Sequence, residues 1–146
     1  MDGIDLSRLL LEAHRVLSFE LDGALEERGY PDIRPGHAVV FLTVDRRSGS
    51  RLTDLSQRAG VSKQAMMLSI DELEVRGYVR RVPDPSDARA KLVRLTAKGR
   101  RCATECRRVV GSLETRTRRA LGQRRYEALR SSLEQLAGHA APGDAG

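Results

Sequence analysis

The sequence predicts a mainly α-helical fold with one small β-hairpin. Over most of the 146 residues, apolar side chains recur at steps of three and four, which is typical of amphipathic helices. Two short helices, 53–60 and 62–77, are separated by a tight turn at Gly60, as in a helix-turn-helix. Two β-prone runs, 78–82 and 91–96, follow at once and predict the hairpin. This order of elements describes a winged helix-turn-helix flanked by further helices.

The remaining helices are predicted from the same periodicity and from signals at their ends. A leucine stripe predicts the first helix over 4–28, and Gly29 is a suitable end for it. Pro35 suits the first turn of an unusually apolar helix over 36–47, which we expect to lie centrally. Later helices are predicted over 97–121 and 123–137, and N-caps at Thr53, Ser62 and Thr96.

We expect a single domain over 1–146, because a chain of this length can bury one sizeable core. Within it, 36–99 would form the winged helix-turn-helix core, between helical regions over 4–30 and 97–138. The stretch "PDPSDARAK" (83–91) predicts a long tip on the hairpin, and 139–146 predicts a flexible tail.

Charge is placed unevenly along the chain, whose formal net charge is +6. Residues 1–50 carry 6 basic and 9 acidic side chains, whereas residues 51–100 carry 11 and 6. A basic centre favours an anionic partner, although a solvated arginine-rich surface explains the composition equally well. No stretch approaches the ~18 apolar residues of a membrane helix, and no export signal accompanies the two cysteines, so we expect a cytoplasmic protein without membrane contact.

Residues 52–99, "LTDLSQRAGVSKQAMMLSIDELEVRGYVRRVPDPSDARAKLVRLTAKG", resemble the core of a MarR-type transcriptional regulator. The matching motifs are "AGVS", "LE..GYV.R", the "DPSDAR" of the hairpin and "LT..G" before the next helix. The resemblance is detailed over about 35–100 and extends to the flanking helices in order and length only. It implies a homodimer that binds double-stranded DNA, with helices in 4–30 and 97–138 making the dimer. It also implies a small-molecule effector, since a ligand often controls DNA affinity in this family.

These expectations define a function and two alternatives. The expected function is a transcriptional repressor bound as a homodimer to a palindromic operator. The first alternative is a winged-helix module for protein–protein contact with little specific DNA binding. The second is a thiol redox protein or enzyme, which lacks a nucleophile–base pair, a glycine-rich phosphate loop or a metal-ligand cluster in the sequence. We therefore expect no cofactor and no enzymatic activity.

Ten residues are predicted to contribute to DNA binding. They are Ser62, Lys63, Gln64 and Met67 on the second short helix, and Arg80, Arg81, Asp87, Arg89, Lys91 and Arg94 on the hairpin. Gln64 can pair with adenine, and Lys63 can meet guanine or a phosphate, although both could be merely solvated. Ser62 and the first helix amides can hold a phosphate. Arg89, at the hairpin tip, is the best candidate for a narrow minor groove, while Arg51 and Lys98 are weaker candidates.

Met67 and Leu68 depart from the family pattern, since many relatives have a small polar and a basic residue there. Apolar side chains can touch thymine methyl groups but cannot donate hydrogen bonds, so either the direct readout of bases is thin here or one of the two side chains folds back into the core. Three acids follow on the same helix, at Asp71, Glu72 and Glu74. They would repel phosphates, so we expect them to face away from DNA. The expected ion pairs join Glu72 or Glu74 to Arg76 or Arg80.

Two aspartates in the hairpin tip need an explanation if the partner is a polyanion. Asp87 lies two residues before Arg89, and we expect it to hold either that guanidinium or the amides of the turn. Asp84 is expected only to shape the turn.

The cysteines and histidines give weaker signals. Cys102 and Cys106 lie four residues apart on an apolar helix face, where buried thiols are expected and a disulfide is geometrically poor. His14, His37 and Phe41 are candidates for an effector pocket between the first two helices. The alternative is that both histidines lie on a helix surface. The spacing of His14, His37 and His139 does not indicate a metal site.

Overall fold

The computed structural model describes residues 3–138 and shows six helices and one two-stranded antiparallel sheet in that range. The helices are α1 (Leu6–Glu27), α2 (Pro35–Thr43), α3 (Leu52–Ala59), α4 (Lys63–Val75), α5 (Ala97–Leu121) and α6 (Gln123–Leu136). The strands are β1 (Val79–Asp84) and β2 (Asp87–Leu95). The predicted mainly α-helical fold with a hairpin is therefore confirmed. The expected flexible tail, 139–146, and His139 lie outside the described residues.

The chain forms two compact units, one that runs through Val109 and one from Val110 onward. That the whole chain is a single domain, with 36–99 as its core, stays a prediction. No helix among residues 3–138 has the length and apolar character needed to cross a membrane.

The core of the first unit lies between α2, α3, α4, the hairpin and the first half of α5. Its largest fully buried side chain is Tyr78, whose ring meets that of Phe41 edge-on at a centroid distance of 5.7 Å. The Tyr78 hydroxyl donates to Asp32 at 2.7 Å, so its polar end is satisfied despite its burial. Three residues of α4 at helical spacing face this core and are buried: Met66, Ile70 and Leu73.

The start of α5 is fixed against the end of α4. Lys98 donates to the carbonyl of Arg76 at 2.9 Å and lies 4.2 Å from the centroid of the Tyr78 ring. A Cβ on Gly99 would overlap the Tyr78 carbonyl oxygen, so only glycine permits this approach. The predicted N-cap is confirmed, since Thr96 accepts from the Gly99 amide at 3.1 Å.

Two predicted boundaries in the segment from α2 to α3 are wrong. α2 ends at Thr43 instead of reaching 47, because Asp45 accepts from the amides of Arg47 and Ser48 at 2.9 and 2.8 Å and forms a turn. Thr53 is not the N-cap of α3. That helix follows Arg51, which has no side-chain cap, because an isolated bridge from Ser50 to Val93 keeps the chain extended up to this point.

The hairpin pairs regularly from Val79 and Leu95 to Pro83 and Lys91, and the next pair is Asp84 with Asp87. Residues 88–90 of β2 therefore lie in a bulge, with Arg89 at its centre. Regular pairing extends one pair beyond the predicted end of the first run at 82, and the long tip is not an open loop. It is closed by a two-residue turn at 85–86.

The second unit contains the rest of α5 and α6, which are separated by Gly122 with φ of 83°. Its best-buried side chain is Tyr126, whose ring centroid lies 4.6 Å from the Arg118 guanidinium carbon. Arg130 on α6 reaches Glu134 at 3.0 Å and Glu114 on α5 at 3.5 Å. The predicted break between the last two helices is thus confirmed.

Candidate nucleic-acid interface

The turn between α3 and α4 exposes the first residues of α4. Gly60 takes the left-handed conformation, with φ of 67°, and the Val61 amide donates to the Ser56 carbonyl at 3.1 Å. Ser62 accepts from the Ala65 amide at 3.1 Å, which confirms the predicted N-cap. Ser56 on α3 is buried, and its small side chain lets the two helices approach each other.

The outer face of α4 combines polar and apolar side chains. Lys63 and Gln64 are exposed at its start. The side chains of Met67 and Leu68 are 46% and 61% exposed. The preceding residue, Met66, is only 1% exposed. The structure thus answers the question that the sequence left open, because neither Met67 nor Leu68 folds back into the core.

The carboxylates in the C-terminal half of α4 are engaged by the protein itself. Arg81 on β1 pairs with Glu74 at 2.7 Å and with Asp71 at 2.5 Å, and its amide donates to Glu74 at 3.0 Å. Glu72 instead pairs with His37 at 2.5 Å. The prediction that Glu72 or Glu74 pairs with Arg76 or Arg80 is therefore wrong.

Side-chain alternation explains the choice of partner. Val79 and Arg81 share the face of β1 that lies against α4, while Arg80 points to the exposed face. Arg81 is half-buried, and its charge offsets two acids that would otherwise repel a polyanion. Among the hairpin arginines, Arg81 is thus the one that forms ion pairs with two acids of α4.

The other predicted hairpin residues differ in their surroundings. Arg94 lies opposite Arg80 in the ladder and donates to the carbonyl of Arg47 at 2.9 Å. Arg80, Arg89 and Lys91 are exposed. The structure therefore leaves these three cations on the surface and directs Arg81 and Arg94 toward the protein, and the DNA contacts of all five stay predictions.

The hairpin tip is ordered by its two aspartates. Asp87 accepts from the backbone amide of Arg89 at 3.0 Å, so it holds the turn's own amide, which is one of the two predicted arrangements. Asp84 does more than shape the turn. It is buried, it accepts from the amide and hydroxyl of Ser86 at 2.8 and 2.7 Å, and it pairs with Arg51 at 2.6 Å. The bonds from Ser86 and from Arg51 hold the pKa of Asp84 below its ordinary value.

Sequence reasoning did not find the role of Gly49. This residue has φ of +78°, and a Cβ there would lie 2.6 Å from Cγ of Arg94 and 2.7 Å from the Val93 carbonyl oxygen. Gly49 therefore lets Ser50 approach β2 and exchange two backbone hydrogen bonds with Val93, at 3.0 and 2.8 Å. The glycine in "RRSGS" was the available signal, but it indicates a turn without naming the strand that approaches it.

His37 is buried in a polar network instead of lying on a surface, which rules out the surface alternative for this residue. Its Nδ1 accepts from the Arg34 amide at 3.1 Å, so the ring proton is on Nε2, which donates to Glu72. This hydrogen bond lowers the pKa of Glu72. Burial raises the pKa of Asp22 on α1.

The three predicted effector-pocket residues differ in their surroundings. Phe41 is fully enclosed by the core and His37 is buried, while His14 is exposed and lies 3.4 Å from the Ser18 hydroxyl. A role for these three residues in ligand binding stays a prediction. Over residues 3–138, no three His, Cys, Asp or Glu side chains are placed to hold a metal ion.

Cys102 and Cys106 are both free thiols and both buried, as expected for small apolar residues on the inner face of α5. The hydrogen bond between the two sulfurs, together with burial, raises the pKa of Cys102. A thiol held in this neutral form is a poor nucleophile.

A short helix, a tight turn, a second helix with an exposed start and a hairpin with an exposed arginine define a winged helix-turn-helix protein. The sequence profile of the MarR family matches residues 32–90. The multiple antibiotic resistance protein MarR of Escherichia coli (strain K12) is 34% identical over 109 residues, which are 74% of this chain and 73% of that protein. The chain therefore belongs to the MarR family of transcriptional regulators, which confirms the resemblance seen in its motifs.

Solved structures agree with this assignment. CouR from Rhodococcus jostii RHA1, bound to p-coumaroyl-CoA, superposes with a TM-score of 0.79 at 24% identity, over 95% of this chain and 96% of that chain. The transcriptional repressor CouR bound to a 23-mer DNA duplex gives a TM-score of 0.76 at 26% identity, over 91% and 92%. Both cover the described helices and the hairpin almost completely.

Proposed function

We propose that this protein is a sequence-specific DNA-binding repressor that acts as a homodimer on a palindromic operator. The observation that carries the proposal is the arrangement of two exposed elements on one scaffold. The start of α4 presents Lys63 and Gln64, and the bulge of β2 presents Arg89. The similarity to a repressor solved with a DNA duplex supports the same conclusion.

The start of α4 would enter the major groove. Its 13 residues make a helix of about 20 Å, and its first amides point toward the approaching DNA. Gln64 would pair with adenine, and Lys63 with guanine or a phosphate. The Ser62 side chain already accepts from the Ala65 amide, which leaves the earlier amides of the helix for a phosphate.

The hairpin would follow the adjacent minor groove. A narrow minor groove has an enhanced negative potential, which favours insertion of an arginine such as Arg89. Arg80 and Lys91 are exposed beside it and would neutralise phosphates. The bond from Asp87 orders the backbone at Arg89 before DNA arrives, so less conformational entropy is lost on binding.

Apolar residues on the outer helices support the homodimer. On α1 and just before it, the exposed apolar residues are Ile4, Leu6, Leu9, Leu10, Leu11, Val16, Leu17 and Phe19. On α6 they are Leu129, Leu133 and Leu136. On each of these helices, exposed apolar side chains of this kind mark an interaction site, and a second copy of the chain would cover them. A two-fold axis would then set two α4 helices ~34–36 Å apart, one turn of DNA.

We further propose that a small molecule releases the dimer from DNA. The support is that CouR has been solved both with a DNA duplex and with p-coumaroyl-CoA. A regulator of this kind would act on the chromosome and hence in the cytoplasm.

The test is competition binding with DNA from regions upstream of neighbouring genes. Labelled fragments are titrated with the protein in ~50–200 mM salt, in competition with random DNA of equal length. We expect one fragment to bind at least about 1000-fold more tightly than random DNA. Equal affinity for all fragments at every salt concentration would contradict the proposal.

The same experiment addresses a second candidate function, a winged-helix module for protein–protein contact. The exposed Met67 and Leu68 favour it, because apolar side chains on α4 suit a protein partner as well as a groove. If no fragment is preferred, this candidate becomes the better explanation of that surface.

A further inference from the structure

The exposed apolar pair on α4 suggests how the operator is recognised, provided that the proposed function is correct. We propose that Met67 and Leu68 recognise thymine through its 5-methyl group, so that the half-site opposite α4 consists mainly of A·T pairs. The inference deepens the proposed function by assigning base specificity to two named residues.

The first argument is position. Gln64 precedes Met67 and Leu68 by three and four residues, so the three side chains lie next to one another on one face of α4. All three are exposed, and the residues on the opposite face, Met66 and Ile70, are buried. A groove that receives Gln64 therefore also receives the apolar pair.

The second argument is chemical. In the major groove, the apolar feature at a base edge is the thymine methyl group, which distinguishes T from C. The other edge groups are hydrogen-bond donors and acceptors, and neither a leucine nor a methionine side chain can satisfy them well. An edge group that loses its water without gaining a partner weakens binding, so this pair would select against G·C as well as for thymine.

The third argument concerns the acids that could have recognised cytosine. A carboxylate can accept a hydrogen bond from the cytosine amino group. Asp71 continues the same face of α4, yet Arg81 holds its carboxylate at 2.5 Å, and Arg81 also holds Glu74. These acids are therefore already engaged, and the base contacts left to α4 beyond Lys63 are the adenine pairing of Gln64 and the apolar contacts of Met67 and Leu68.

The experiment begins by selecting a duplex from a random pool with the full-length protein. Each thymine of the selected half-site is then replaced by deoxyuridine, which removes the methyl group and keeps every hydrogen-bonding group. Burial of one methyl group corresponds to an affinity change of about fourfold. We expect a loss of about three- to fivefold at one or two positions per half-site, and about the square of that loss when both half-sites are changed.

Variants assign the effect to residues. Met67→Ala and Leu68→Ala should each abolish the difference between thymine and deoxyuridine at one position and leave it intact elsewhere. Lys63→Ala is the matched control, because it should weaken binding to every duplex and keep the discrimination. All three residues are exposed, so the variants should fold as the wild type does, which circular dichroism verifies.

The outcomes separate the inference from the function on which it rests. Selection of a specific duplex whose thymines can all be replaced without loss would overturn the inference and keep the DNA-binding function. Unchanged discrimination in both apolar variants would overturn the assignment to Met67 and Leu68. Failure to select any duplex would contradict the proposed function itself, and the inference with it.

Discussion

Arg51, at the start of α3, lies 2.6 Å from the carboxylate of Asp84, at the end of β1. Both oxygens of that carboxylate are used, one by Arg51 and the other by Ser86. A residue that was a weak candidate for DNA contact thus fastens the hairpin tip to the helix-turn-helix.

Asp84→Asn should loosen the hairpin tip and weaken DNA binding, because the amide keeps the shape of the side chain and loses the ion pair with Arg51. The measurement is DNA affinity together with the melting temperature of the free protein. Glu26→Gln, at an exposed acid on α1, is the matched control and should change neither stability nor the conformation of the tip. A wild-type melting temperature for Asp84→Asn would show that the pair with Arg51 contributes no stability.

The same carboxylate predicts a dependence of stability on pH. The pKa of Asp84 is lowered from its ordinary value of 3.8, so its contribution to stability is present above that value. The contribution is lost as the pH falls through the lowered pKa. Between pH 5 and about pH 3, the wild type should therefore lose more stability than Asp84→Asn, as measured by urea unfolding. Equal losses of stability in the wild type and in Asp84→Asn would contradict this role of the Asp84 carboxylate.

Removing Arg81 should weaken DNA binding indirectly. Arg81→Gln leaves Asp71 and Glu74 without their partner, and their charges then repel phosphates within a Debye length of about 10 Å at 0.1 M salt. Replacing both acids as well, with Asp71→Asn and Glu74→Gln, should restore most of the affinity. If the triple variant binds as weakly as Arg81→Gln, then Arg81 contacts DNA itself.

The hydrogen bond from the Arg89 amide to Asp87 should order the hairpin tip before DNA binds. Arg89→Ala should weaken DNA binding and leave the dimer intact, as measured by anisotropy and by analytical ultracentrifugation. Asp87→Ala removes the acceptor of the Arg89 amide, worth about 0.5–1.5 kcal/mol, and should weaken binding severalfold. Asp87→Asn retains an acceptor oxygen and should bind nearly as the wild type does. Equal behaviour of the two Asp87 variants would argue against a role for this hydrogen bond.

Gly49→Ala should destabilise the protein by about 1–3 kcal/mol from backbone strain, with a further loss from the overlap with Val93 and Arg94. Gly60→Ala is the matched control. It has a similar positive φ, but a Cβ there would meet no heavy atom within 4 Å. Guanidinium unfolding should show the larger loss for Gly49→Ala, and equal losses would mean that the approach to β2 is not tight.

His37→Leu should cost about 1–3 kcal/mol of unfolding free energy, because the Arg34 amide loses the ring acceptor and Glu72 loses the ring donor. His14→Leu, at an exposed position on α1, should stay within about 0.5 kcal/mol of the wild type. Chemical unfolding measures both, and similar values for the two variants would show that the His37 network adds nothing to stability.

The parts of the fold that local chemistry determines could be predicted from the sequence. Gly60 permits the left-handed turn, Ser62 caps α4, and the spacing of Met66, Ile70 and Leu73 defines its buried face. Each of these signals acts within a few residues, so no knowledge of the rest of the chain is needed.

The predictions that are wrong concern features that depend on contacts between segments far apart in the sequence. The start of α3 depends on the bridge between Ser50 and Val93, which outweighs the capping tendency of Thr53. The identity of the arginine that pairs with the α4 acids depends on which face of β1 turns inward. Alternation predicts two faces but does not say that Arg81 lies on the inner one. The burial of His37 likewise depends on Glu72, which is 35 residues away.

The bulge at 88–90 makes the length of the hairpin tip independent of the pairing register of the two strands. The regular ladder ends at Pro83 and Lys91, so a residue added to or removed from the bulge would not shift the pairing of Val79 to Pro83 with β2. The reach of Arg89 can therefore vary while the inward and outward faces of the strands stay the same. Related chains could adapt to grooves of different depth through tip length alone, without rebuilding the sheet that carries the arginine.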